Sequence, residues 1–167
     1  WVGIDFKENK ETYTKQMVYR YLEKLNIHAA GEKITPHQHQ IEAIQKSLNE
    51  RRTLLLSPTA SGKSLIIYGL VRKRLEEDNK KILIVGDECH LFKSKSLTTL
   101  MTKLKVCPFR VGTTGTLDGT DTHKLVIEGL FGPVYKVTST TELIEKELQS
   151  DLKIDCILLK YPDEECK

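Results

Sequence analysis

Two short stretches of this 167-residue sequence carry residue types suited to phosphate chemistry. The first is SPTASGKS, residues 57–64. Backbone N–H groups of such a loop point at an anion, and the N-terminus of the helix it opens adds its dipole to the attraction. Thr59, Ala60, Ser61 and Gly62 form the candidate cradle. Gly62 lets the backbone come close to the phosphates, and Lys63 is placed to neutralise the β- and γ-phosphates. Ser64 offers its hydroxyl to Mg²⁺. The usual pattern opens on glycine, and Ser57 stands there instead, so the strict consensus fails at one position.

The second stretch is KILIVGDECHL, residues 81–91. An apolar strand pattern runs directly into Asp87 and Glu88, only 24 positions after Lys63. A strand ending this way aims its first carboxylate at a Mg²⁺ shell, while the second can orient and deprotonate an attacking water. Asp87 is the candidate metal carboxylate, Glu88 the candidate base, and His90 a candidate link to whatever binds above. Alone, an acidic pair after a strand is commonly a solvated turn. The phosphate-type loop on a preceding strand gives it meaning.

Weaker signals surround these two. Gln40 lies in PHQHQ, and its amide can both donate to and accept from an adenine edge. A surface glutamine is the plain alternative. GTTGT, residues 112–116, places Thr114, Gly115 and Thr116 at a strand end, where hydroxyls could bond the acidic pair and sense its state. An ordinary Gly/Thr turn is the alternative there. His37 and His39 are two positions apart, which does not put them on one helix face. Cys89, Cys107, Cys156 and Cys166 form no C-x-x-C pair and no zinc spacing. Free thiols in a reducing cytoplasm are the expectation. Lys93, Lys95, Lys103, Lys105 and Arg110 form a basic run, which is either a DNA patch or a solvated face.

The elements that must position these residues follow from periodicity. Helices are expected at 11–25, after the GEKITP break with Pro36 in the first turn, and at 64–77, 96–105, 122–131 and from 140. Strands are expected at 53–57, 81–85, 109–115, 133–137 and 153–161. Ser139 and Glu142 fit a capping box. Alternation of strands and helices argues an α/β fold with a mostly parallel sheet of about five strands and helices on both faces.

Bulk properties set outer limits. At 39% hydrophobic and 29% charged residues, the chain is of ordinary globular composition. No apolar run approaches the roughly 18 residues of a membrane span, and the start carries no signal-peptide pattern. A net charge of +3 permits a nucleic-acid partner without requiring one. The length suits one domain, and a start at Trp1 suggests a fragment or a processed chain.

Taken in order, PHQHQIEAI, LLLSPTASGKSLI, KILIV, DECHLFKSKS, GTTGTLDGT, GLFGPVYKVTST and KIDCILLKYPDE resemble superfamily 2 DNA helicases of the DExH type, a group with phage-encoded members. The likeness covers most of the chain. It implies a RecA-like P-loop fold, ATP and Mg²⁺ as cofactors, and branched or single-stranded DNA as partner. It also implies coupling of ATP hydrolysis to DNA unwinding in recombination, repair and replication. Under it Gln40 is the adenine-reading glutamine, Thr59 to Ser64 are motif I, and Asp87 to His90 are motif II. Thr114, Gly115 and Thr116 are motif III, which couples hydrolysis to movement. Residues 1–35 become a helical linker and 36–167 the first motor domain, of a monomer in the cytoplasm of the host cell.

Departures from that pattern matter as much. In the family the KILIV strand ends in a Pro-Thr motif, followed by parts that grip one DNA strand, and a separate strand carries DECH. Here Val85 is followed by Gly86 and Asp87. No second motor domain with its arginine fingers is evident, nor a small N-terminal DNA-binding domain. The expectation is nucleotide binding, at most slow hydrolysis, and deficient unwinding by this chain alone. If KILIVG lies beside TLLLS, Asp87 still reaches the loop magnesium; the shortening also leaves a candidate aggregation edge. Two other readings stand: a compact P-loop kinase or phosphotransferase, favoured by the short spacing, and a non-enzymatic nucleic-acid-binding module, favoured by the basic run.

Overall fold

A computed structural model describes residues 12–77, 83–104, 107–117, 121–151 and 155–157. Helix α1 (Lys15–Leu25) starts at an N-cap, Thr14, whose side chain accepts from Met17 N–H, and ends at Asn26 in the left-handed region. A small antiparallel hairpin follows, β1 (His28–Ala29) and β2 (Glu32–Lys33). Its turn uses Ala30 and Gly31, both at positive φ, where the sequence reading expected only a break. Helix α2 (Gln38–Asn49) is capped by His37, so Pro36 precedes the helix rather than lying in its first turn.

The central sheet is built from β3 (Arg52–Leu56), β4 (Leu83–Gly86), β5 (Phe109–Thr114) and β6 (Val134–Lys136). Their spatial order is β4-β5-β3-β6, and every pair is parallel. Helix α3 (Lys63–Glu77) leaves the loop after β3. A 3₁₀ turn (Cys89–Lys93) and α4 (Lys95–Lys103) link β4 to β5, α5 (Asp121–Phe131) links β5 to β6, and α6 (Thr140–Glu145) follows, capped by Ser139. Among the described residues the sheet thus has four strands. Most of the strand expected at 153–161 lies outside the described residues, and the described 155–157 carry no strand. No described helix is long and apolar enough to cross a membrane.

One expectation is corrected by the strand order. KILIVG does not lie beside TLLLS: β5 is inserted between β4 and β3. The insertion has a packing reason. Gly86 and Gly112 are register partners across β4 and β5. A Cβ on Gly86 would stand 2.6 Å from Phe131 Cζ, and one on Gly112 would stand 2.9 Å from Phe131 Cγ. Two neighbouring strands without side chains at these positions leave the floor on which the fully buried Phe131 ring rests.

Adjacent residues of β3 divide the core between the two faces, as the strand period of two requires. Leu55 packs with Val18, Leu22, Ile44, Ile66 and Leu70 from α1, α2 and α3. Leu54 packs with Cys89, Met101, Ile127 and Phe131 on the opposite face. Both leucines are fully buried, and each such burial contributes about 1.5–3 kcal/mol. Helix α1 therefore shares the core of the sheet through Val18 and Leu22.

Candidate functional site

All four strands being parallel, β3, β4 and β5 end at the same edge of the sheet, which is where ligands of open α/β sheets bind. The β3 loop is held by its own hydroxyls. Ser57 N–H donates to Thr114 O at 2.8 Å. The Ser57 and Ser61 hydroxyls lie 2.5 Å apart, and Ser61 Oγ donates to Pro58 O at 2.7 Å. Ser57, the residue that broke the strict consensus, is fully buried and uses its side chain to bridge the loop. Ala60 and Gly62 take positive φ values of 66° and 78°. Thr59, Ala60 and Ser64 are exposed at the mouth. Lys63 is the first residue of α3, whose leading N–H groups have no intrahelical acceptor.

The acidic pair meets this loop. Lys63 Nζ lies 2.8 Å from Glu88 Oε1. Glu88 sits at φ 47°, ψ 46°, a left-handed conformation that is costly for a residue with a side chain and recurs at functional sites. The same residue places its other oxygen, Oε2, 3.4 Å from His90 Nδ1. His90 Nδ1 in turn lies 2.9 Å from Thr114 Oγ1, which donates to Thr116 O at 2.8 Å. A chain of polar contacts therefore runs from the loop lysine through Glu88 and His90 to the end of β5. Gly115 closes it: a Cβ there would be 4.0 Å from both Lys63 Nζ and Thr59 N.

Asp87 is held differently from the expectation. Neither Thr114 nor Thr116 bonds the acidic pair through its hydroxyl. Thr113 does so, its Oγ1 donating to Asp87 Oδ1 at 2.6 Å, and Glu88 N–H donates to the same oxygen at 2.9 Å. The sequence offered two other threonines in the same run and no way to choose. The choice follows from β5 lying next to β4: Gly86 and Gly112 are register partners, so the residues that follow them, Asp87 and Thr113, come side by side.

Gln40 is not a surface glutamine; it is 5% exposed. Its Oε1 accepts from His37 N–H at 2.9 Å and its Nε2 donates to Ser61 O at 3.1 Å. His39, also buried, brings Nε2 to 3.0 Å from the same carbonyl. Nothing in the sequence pattern distinguished His39 from its neighbour His37, whose ring stacks on it at 5.7 Å. Arg110 leaves the proposed basic run. It is 4% exposed, and its guanidinium donates to the carbonyls of Leu104, Cys107 and Leu130. It binds the C-terminal ends of α4 and α5 together, a stabilising place for a cation. Lys95 and Lys103 are exposed; Lys105 lies outside the described residues.

The donor set fits Mg²⁺ in the way nucleotide sites use it. No group of three or more His, Cys, Asp or Glu side chains converges among the described residues. A lone carboxylate with a serine hydroxyl suits a hard cation that keeps waters and shares phosphate oxygens. Asp87 and Ser64 are the candidates of these two types, and Asp87 Oδ2 is not used in the contacts that hold Oδ1.

No family model matches the chain. The ATP-dependent DNA helicase uvsW of Enterobacteria phage T4 is 26% identical over 231 aligned residues, a match covering 98% of this chain and 46% of that protein. The chain thus spans about half the length of that curated relative. An alignment of 231 positions against a chain of 167 leaves at least 64 positions with no residue here. The crystal structure of the UvsW helicase from bacteriophage T4 superposes with a TM-score of 0.67 at 25% identity, covering 76% of this chain and 69% of that one. A second crystal structure of T4 UvsW gives a TM-score of 0.66 at 24% identity, covering 80% and 40%. The chain is UvsW-like in sequence, and its fold is RecA-like.

Proposed function

We propose that this UvsW-like chain is the ATP-binding first motor domain of an ATP-dependent DNA helicase of the DExH type. The observation that carries the reading is the convergence of Lys63, Glu88 and Gly115 at one edge of the sheet, with Thr59 N beside them. Thr59 to Ser64 bind the phosphates through backbone N–H groups, and Lys63 exchanges Glu88 for a phosphate oxygen when nucleotide enters. Ser64 and Asp87 would hold Mg²⁺, which would supply charge neutralisation on the β- and γ-phosphates. Glu88 then orients and deprotonates the attacking water. His90 and Thr114 transmit the state of Glu88 to the end of β5, the place of motif III.

DNA, branched or single-stranded, is the partner in this reading, and recombination, repair and replication are the processes, carried out by a monomer in the cytoplasm of the infected host. Unwinding by this chain alone is deficient. An arginine finger from a second motor domain is worth roughly 10³–10⁵ in rate where such fingers have been removed. The short spacing between Lys63 and Asp87, which raised the phosphotransferase alternative, is what remains if the unmatched positions of the alignment fall between the two motifs. The boundary between an N-terminal helical segment and the motor at residue 35 belongs to the same proposal. Equilibrium binding of a fluorescent ATP analogue to the chain and to Lys63→Ala tests the reading. Binding lost in the variant supports it; equal binding by both overturns it.

A further inference from the structure

Tyr13 enters the fold at a fixed point. Its N–H donates to Asn49 Oδ1 at 2.8 Å, and its carbonyl accepts from Gln45 Nε2 and Asn49 Nδ2, each at 2.9 Å. Three bonds to α2 therefore set where the chain arrives from residues 1–11, which precede the described part of the molecule. Beside that point lies a groove of about 330 Å³ between α1, α2 and α3. Tyr13, Met17, Tyr21 and Leu48 give it an apolar lining. Met17 is 47% exposed, so α1 leaves apolar surface in water here. Arg20, Lys24 and Lys73 add three cations, and no described lining residue carries a carboxylate. Lys73 Nζ lies 5.5 Å and 5.2 Å from the ring centres of Tyr13 and Tyr21, with Glu77 Oε1 at 3.4 Å. Arg20 and Lys24 are exposed like charges one turn apart, an arrangement that opposes the helix and that a carboxylate nearby relieves.

We propose that residues 1–6, WVGIDF, fold back along α1 and fill this groove, with Trp1 on the apolar lining. Trp1, Val2, Ile4 and Phe6 are large and apolar, and Asp5 is the one ionised side chain of the six, opposite in sign to the rim. Among side chains, an indole is the ring that cations hold best. The length agrees as well. Eleven extended residues reach up to about 36 Å, whereas α1 rises only about 14 Å from Lys15 to Lys24. A tether this short holds the segment at an effective concentration on the order of millimolar, which favours it over a separate partner. The groove is then an internal docking site, and it lies on the α1 side of the core rather than at the phosphate loop.

Trp1 is the one tryptophan of the chain, so its fluorescence reports this segment alone. Acrylamide quenching of the full chain is compared with that of a free peptide of residues 1–8. Quenching is expected to be several-fold weaker in the chain, with the emission shifted to the blue. Met17→Asp puts a charge into the lining at a half-exposed position. It is expected to raise quenching to the level of the peptide while circular dichroism stays unchanged. Arg20→Glu combined with Lys24→Glu alters exposed rim positions, and is expected to raise quenching most at low salt. Trp1 quenched as freely in the chain as in the peptide overturns the proposal. So does shielding that survives Met17→Asp, which would place Trp1 elsewhere. If Met17→Asp loses its helical signal, the rim variant decides in the same way. Shielding that disappears on dilution assigns the groove to the segment of a second copy, and overturns the proposal too.

Discussion

Thr113 Oγ1 donates to Asp87 Oδ1 at 2.6 Å, across the boundary between β5 and the end of β4. Thr113 is buried and Asp87 exposed. The bond holds one oxygen of the carboxylate, Oδ1, and does not use Oδ2. A hydrogen bond to a charged group is worth about 1.5–3 kcal/mol. Thr113→Val keeps the volume and removes the donor. The affinity for Mg²⁺-ATP is expected to fall about fivefold, with metal-free ATP changed less than about twofold. Titration with and without EDTA separates the two, and an equal fall in both would show that Thr113 serves the fold and not the proposed metal carboxylate.

Glu88 and Lys63 neutralise each other at 2.8 Å. Glu88→Gln keeps the shape, removes the charge facing incoming phosphate, and leaves Lys63 less firmly held. ATP binding is expected to tighten by a few-fold, more at low salt than at high salt. Any hydrolysis the chain shows is expected to fall by about 10²-fold or more, the range for a missing general base. Single-turnover assays with labelled ATP read the second effect. A variant that hydrolyses at the wild-type rate would remove Glu88 from the catalytic role.

Gly86, the residue at the junction of KILIV and DECH, is a packing position. Gly86→Ala presses a methyl group into Phe131 and Phe92, and overpacking of this kind costs about 1–3 kcal/mol. Phe131→Leu makes room for that methyl. The cost of Gly86→Ala measured by urea unfolding is therefore expected to be smaller in the Phe131→Leu background, a coupling of about 0.5 kcal/mol or more. Additive costs would place the clash elsewhere.

Cys89 lies inside the acidic motif but is fully buried. Burial pushes its thiol up from 9.0 to about 12, with the Glu88 and Asp87 charges adding. In a background with Cys156 and Cys166 changed to Ser, a thiol reagent at pH 8 is expected to modify Cys89 and Cys107 only as fast as the chain opens. The raised value also sets a sign. The folded state favours the neutral thiol, so its contribution to stability is complete below about pH 9 and is lost as pH climbs toward 12. Thermal melts across that window should show the midpoint falling. Rapid labelling of Cys89 in the folded chain would contradict its burial.

Much of this was legible in the chain itself. The α3 stretch announced itself by periodicity, and Ser139 with Glu142 marked the start of α6, where Ser139 Oγ accepts from Glu142 N–H at 3.2 Å. The loop from Thr59 to Ser64 and the pair Asp87–Glu88 stood out as candidates because each is a local pattern: small residues before a lysine, carboxylates after an apolar strand. The hairpin at Ala30–Gly31 escaped because two strands of two residues each leave no alternation to detect. Arg110 was misplaced because a cation in a run of lysines looks solvated until the chain ends it must bind are known.

By itself the sequence determined the α/β alternation, the candidate phosphate loop and the acidic pair, since each is written in residues close together along the chain. The tertiary structure decided which strand stands between them. With β5 inserted between β3 and β4, Thr113 rather than Thr114 reaches Asp87, His90 reaches Thr114, and Gly115 borders Lys63. It also turned His39 and Gln40 onto one carbonyl of the loop. Those contacts join residues roughly 20 to 50 positions apart, and strand order and helix packing, which burial of Leu54, Leu55 and Phe131 enforces, are what bring them within a hydrogen bond.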